Sequence, residues 1–135
     1  MAQGRCLCGK IVFEVSAPIG MVVHCHCSIC RKFHGTPFAT HGVVPHDALR
    51  WIAGSDLVSR YRSSADGERP FCSRCGSNVP AEHSPDGAFI PLGNLDAEPD
   101  VRPLAHIFVG SKAPWHEITD ELPQFQQWPP GVEQT

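Results

Sequence analysis

Seven cysteines in a chain of 135 residues fall into three groups whose spacing suits metal ligation: Cys6 with Cys8, Cys72 with Cys75, and the triad Cys25, Cys27 and Cys30. Tetrahedral zinc in a structural site takes four soft ligands at about 2.3 Å, and a local pair supplies only two of them. The economical arrangement therefore joins the two pairs into one cage, stitching the N-terminal segment to a later knuckle. Gly9 and Gly76 directly follow the second cysteine of each pair, where a residue without a Cβ lets the turn aim its N–H groups at the sulfurs. Four thiolates on one zinc leave a net charge of about -2, and Arg5, Lys10 and Arg74 stand beside the ligands to offset it. Single buried apolar cysteines are common. Two spaced pairs with adjoining glycines favour metal instead.

The triad sits in the run His24-Cys25-His26-Cys27-Ser28-Ile29-Cys30 and has no matching fourth cysteine. Three protein ligands on zinc leave an open position, as catalytic sites do. His24 or His34 could close it as a Cys3His structural site, whereas His26, between two ligands, is directed away by the run of the chain. The sharper reading is that an incoming thiol takes the fourth position. Zinc deprotonates a bound thiol at neutral pH, and three cysteine sulfurs already make the metal electron-rich, so the fourth thiolate stays reactive. Arg31 and Lys32 follow the last ligand and either balance the site or hold carboxylates of an acidic thiol, although a solvated pair of cations is the commoner meaning.

These ligands need a scaffold. Apolar residues make up 41% of the chain, and 12 glycines and 13 prolines punctuate it, which suggests short strands and many turns. Strands are expected in residues 10–15, in MVVHC at 21–25, and in residues 37–44, 57–62, 88–93 and 105–110. One short helix is expected in SICRKFHG, with Ser28 as N-cap and Gly35 as its stop. Residues 63–70 read as loop, and the Pro-rich C-terminal stretch as a tail that wraps the surface or frays. The length supports one domain over 1–135, with a core of about 4–116 and a tail of about 117–135.

A net charge of -3 without a basic stripe argues against nucleic acid, and no apolar stretch is long enough to span a membrane. The first ten residues lack an apolar signal region, so the expected location is the cytoplasm, where an odd number of cysteines is not a disulfide framework. Ser111, Lys112 and Trp115, in a polar loop after the last strand, are candidate pocket residues. His106 is either a pocket or a core residue, and His41, His46, His83 and His116 read as surface or structural. No Ser-His-Asp order or phosphate-cradling loop stands out.

The motifs GRCLCG, CHCSICRK, FCSRCGS and HIFVGSKAPW occur in order from Gly4 to Trp115. Together they resemble the glutathione-dependent formaldehyde-activating enzyme family, also called the centromere protein V-type domain family. The resemblance implies a mainly β, zinc-containing β-tent of short antiparallel sheets with at most one or two helical turns. It implies Cys6, Cys8, Cys72 and Cys75 as ligands of a structural zinc and Cys25, Cys27 and Cys30 as ligands of a second, catalytic zinc. It also implies a carbon-sulfur lyase of the S-(hydroxymethyl)glutathione synthase type, joining glutathione or a similar thiol to formaldehyde or another small aldehyde. Two zinc ions are expected, the open site partly empty because it loses metal or oxidises more readily. The alternative is a non-catalytic thiol carrier or interaction module in which both zincs are structural. A homo-oligomer is left open.

Overall fold

A computed structural model of the protein describes residues 1–131. Alternation in β2 (Val12–Val15) turns Phe13 and Val15 into the interior, and this strand pairs antiparallel on one side with β1 (Ala2–Arg5) and on the other with β5 (Leu49–Ala53). The larger sheet has five strands. Its order is β10 (Ala105–Ile107), β3 (Gly20–Cys25), β4 (Ala39–Val44), β9 (Gly87–Pro91) and β8 (Ala81–Ser84). A hairpin of β6 (Val58–Arg62) and β7 (Glu68–Cys72) completes the strands, all of whose pairings are antiparallel except β3 with β10. The fold is thus mainly β, with short sheets and, among the described residues, one α-helix, α1 (Ser28–His34), the other helical residues being 3₁₀ turns.

Four strands lie outside the sequence expectation. β1 (AQGR) and β8 (AEHS) have almost no apolar residues, β5 follows a 3₁₀ turn, and β7 contains Pro70, which pairs only with β6 in a two-stranded ladder. Glu68 to Pro70, expected as loop, are therefore strand, and the loop between β6 and β7 closes with Ser63 N–H donating to Gly67 O at 3.0 Å. The N-cap of α1 is Cys27 rather than Ser28. The Cys27 sulfur accepts the Cys30 N–H at 3.3 Å, so the capping acceptor is the thiol one residue earlier. Gly35 ends the helix in the left-handed conformation as expected, its N–H returned to Arg31 O.

Three apolar clusters divide the interior. Phe13, Val15, Ile19, Val22, Val44, Ala48, Ala88 and Ile90 fill the space between the two main sheets. Each cysteine group has a cluster of its own: Cys6 and Cys72 pack with Ile11 and Val79, and Cys25 and Cys30 with Val23, Ala39 and Ile107. The C-terminal segment covers the open edge of β10. Phe125 N–H donates to His106 O at 2.9 Å, His106 N–H to Pro123 O at 2.8 Å, and the Trp128 ring stands edge-on to Phe108 at 5.4 Å. The last four residues of the expected tail lie outside the described residues. No helix among the described residues is long and apolar enough to cross a membrane.

Candidate metal centres and their cavity

Cys6 and Cys8 flank the turn after β1, and Cys72 and Cys75 the turn after β7. Both turns are closed by a glycine at positive φ, Gly9 at 80° and Gly76 at 77°, whose N–H groups bond back to Cys6 O and Cys72 O. All four sulfurs lie within 4.8 Å of one another. The spacings of 3.6 Å from Cys6 to Cys8 and 3.9 Å from Cys8 to Cys72 match the edge of about 3.8 Å for a ZnS4 tetrahedron with bonds of about 2.3 Å. They are nearly twice a disulfide bond of about 2.05 Å, and the thiols are free. Ile11 N–H donates to Cys6 Sγ at 3.3 Å. Burial resists ionisation of Cys75, but the backbone N–H groups of Cys8 and Ser77 and the neighbouring thiols outweigh it and pull this group to about 6. Amide donors aimed at clustered thiols favour the thiolate, which is the form that binds metal. Four sulfurs are the full complement of a tetrahedral site and would leave no open position on a metal held there.

The triad is built differently. Cys25 ends β3, Cys27 caps α1 and Cys30 lies one turn into it, so strand end and helix start bring three sulfurs within 4.8 Å. Among the described residues no histidine or carboxylate joins them. The thiols split: hydrogen bonds from Cys25 and Cys30 hold Cys27 far below the ordinary thiol value, while Cys25 is driven up by Cys27, by Cys30 and by burial. Three sulfurs this close, two of them buried, are a donor set suited to a divalent soft or borderline cation.

The histidines of the run are engaged elsewhere. His24 Nδ1 pairs with the Thr40 hydroxyl at 2.7 Å. His34 Nδ1 accepts from Asn78 Nδ2 at 2.5 Å. His26 is fully buried, its Nε2 2.8 Å from His106 Nδ1, and His106 Nε2 donates in turn to Asp120 at 3.0 Å. The Asp120 carboxylate fixes the protons along this chain, so His26 carries its hydrogen on Nε2 and leaves a bare, buried Nδ1. His106 is accordingly a core residue satisfied by side chains, not a ligand.

The triad forms one wall of a cavity of about 460 Å³, within the usual range for small-ligand sites. Around it stand Phe33, His34, His41, Arg69, Asn78 and Phe89, with Trp128 from the C-terminal segment and the β6–β7 loop at the rim. Arg69 Nε donates to Ser63 Oγ at 3.1 Å and its Nη1 lies 3.9 Å from Cys30 Sγ. His41 is held neutral down to about 4, first by burial and then by the positive charges of His34 and Arg69.

The expected substrate residues do not reach this cavity. Arg31 Nε donates to Ser111 O at 3.2 Å, Lys112 Nζ donates to Ala113 O and His116 O, Lys32 is exposed and Trp115 is 70% exposed. A helix turns about 100° per residue, so Arg31 cannot share the direction of Cys30. Its guanidinium instead ties α1 to the C-terminal loop. His41, read from the sequence as surface or structural, faces the cavity; the period of two along β4 from Ala39, which packs with the triad, is the signal that finds it. Arg69, Asn78 and Trp128 had no local signal.

The half-buried His41, held neutral, has a consequence for stability. With the folded value near 4, the unfolded chain takes up this proton first, at about 6.5. The His41 contribution is complete above about pH 6.5 and is lost as pH falls towards 4, on the order of 1 to 3 kcal/mol. Urea midpoints measured between pH 7 and 4 should therefore fall less steeply for His41→Gln than for the unaltered protein. Equal slopes would show that His41 protonates freely in the fold.

A family model described as glutathione-dependent formaldehyde-activating enzyme matches residues 1–111. A Halomonas elongata protein, provisionally named as such an enzyme, is 37% identical over 84 residues, covering 57% of this chain and 53% of the relative. An uncharacterised lyase of Schizosaccharomyces pombe is 29% identical over 77 residues, covering 57% and 54%. The chain spans about half the length of these curated relatives. A crystal structure of a Rhodobacter sphaeroides protein superimposes with a TM-score of 0.57 at 22% identity, over 73% of this chain and 91% of that one, a likeness of fold.

Proposed function

The chain belongs to the glutathione-dependent formaldehyde-activating enzyme family, and on that premise we propose that it is a zinc-dependent carbon-sulfur lyase that joins a small thiol, glutathione in the first instance, to formaldehyde. The observation that carries the reading is the three-sulfur cluster on the wall of a cavity, with no fourth protein ligand among the described residues. Cys6, Cys8, Cys72 and Cys75 hold a structural zinc. Cys25, Cys27 and Cys30 hold a second, which when bound lowers the pKa of an incoming thiol so that it is a thiolate at neutral pH.

The protein's own residues then do three things. The cysteine side chains hold the reaction centre and are not consumed. Phe33, Phe89 and Trp128 limit the water around the reacting atoms, which strengthens every charge interaction there. The rim loop between β6 and β7 leaves room for the rest of a tripeptide-sized thiol. A reducing, thiol-rich compartment, the cytoplasm, suits both the free cysteines and the substrate.

The test is exchange spectroscopy with carbon-labelled formaldehyde and glutathione at equilibrium. The zinc-loaded protein is expected to broaden and cross-saturate the free and hydroxymethyl resonances well above the protein-free rate. Protein-independent exchange, together with sulfur coordination at the triad metal that does not change when glutathione is added, would favour instead a non-catalytic module with two structural zincs.

A further inference from the structure

Arg69 is the only lysine or arginine among the described residues lining the cavity, and it stands at the triad. Its Nε is fixed by Ser63 Oγ at 3.1 Å, which aims the far edge of the guanidinium fork at the sulfurs, with Nη1 3.9 Å from Cys30 Sγ. Its sequence neighbour Glu68 is committed to Arg60 at 3.5 Å and His83 at 3.2 Å. A partly buried cation whose N–H groups stand beside the three ligand sulfurs, where the thiol would be held, is arranged to receive negative charge that arises during a reaction.

Resting on the reading above, we propose that Arg69 is a catalytic residue of this site, binding the aldehyde oxygen as it becomes an alkoxide. The thiol first loses its proton to solvent. A sulfur lone pair then forms the S–C bond while the C=O π pair moves onto oxygen, and the resulting alkoxide, two bonds from the sulfur, falls within reach of the fork. Arginine stays protonated throughout, so it stabilises the charge without supplying the proton. Water returns that proton to give the hydroxymethyl thioether, and thiol plus aldehyde equals product. A lysine in its place would offer charge without the fixed planar fork.

The competing role for this cation is an anchor for a substrate carboxylate, and 2-mercaptoethanol, which has none, separates the two. Arg69→Met and Arg69→Lys would be assayed by exchange with glutathione and with 2-mercaptoethanol. Zinc content and thiol titrations of the cobalt-substituted proteins, read at the sulfur-to-metal charge-transfer band, provide a measure independent of turnover. Arg69→Met is expected to keep its metal and its thiol affinity while losing about 100-fold in kcat with both thiols. Arg69→Lys should recover only part of that loss.

Three results would overturn the assignment: an unchanged kcat in Arg69→Met, a defect confined to KM for glutathione, or loss of the triad metal in both variants. No exchange by the unaltered protein with either thiol would instead bring down the parent reading, and this assignment with it.

Discussion

Cys27→Ala is expected to return formaldehyde–glutathione exchange to the protein-free rate and to lower bound zinc from two per chain to one. Cys27 does two jobs at once: its sulfur belongs to the triad, and it accepts the Cys30 N–H that caps α1. Losing the cap costs about 1 kcal/mol. A domain of this size tolerates that, so the circular dichroism spectrum should be retained while activity is not. Cys27→Ser separates the two jobs, because a hydroxyl caps a helix well but is a poor ligand for zinc. It should match the unaltered protein in thermal stability and the alanine variant in exchange. Substantial exchange by the serine variant would remove Cys27 from the ligand set.

The second large effect is expected at the four-cysteine site. Cys72→Ala should abolish the folded state, or lower Tm by tens of degrees. Cys72 is fully buried, and its partners Cys6 and Cys8 come from the N-terminal segment, Cys8 being 64 residues away, so the cage closes a long loop and seats the β6–β7 hairpin against β1. Structural zinc sites contribute on the order of 10 kcal/mol in small domains, comparable with the whole stability of a domain of this size. The two sites should also part under chelation. A mild chelator would empty the three-ligand site first, with exchange lost and the fold kept, and a stronger one would then unfold the protein. Simultaneous loss of both zincs and of structure would mean that the triad is as closed as the cage. Neighbouring Arg74→Gln, outside the ligand set, should leave Tm nearly unchanged.

Much of the scaffold was legible because local pattern carries it. Alternation marked β2 and β6, short apolar runs rich in aromatic and β-branched residues marked β3, β4, β9 and β10, and Gly35 marked the end of α1. β1, β7 and β8 were not legible, since AQGR, ERPFC and AEHS owe their strand conformation to the ladders beside them rather than to an apolar period of their own. The capping residue was misassigned for a related reason: serine is the better cap by type, but the sulfur of Cys27 occupies the place where the Cys30 N–H points.

The sequence by itself determined the grouping of the cysteines, two pairs and a triad, because turns of this length hold their own sulfurs close wherever the chain goes. What only the tertiary structure decided is what surrounds the triad. Arg31 and Lys32 follow a triad cysteine along the chain but their side chains do not line the cavity, whereas Arg69, His41 and Trp128 come from β7, β4 and the C-terminal segment to line it. A cavity wall is a product of strand pairing across long separations, which no local pattern encodes. Chelating spacing is local, and so it survives in the sequence.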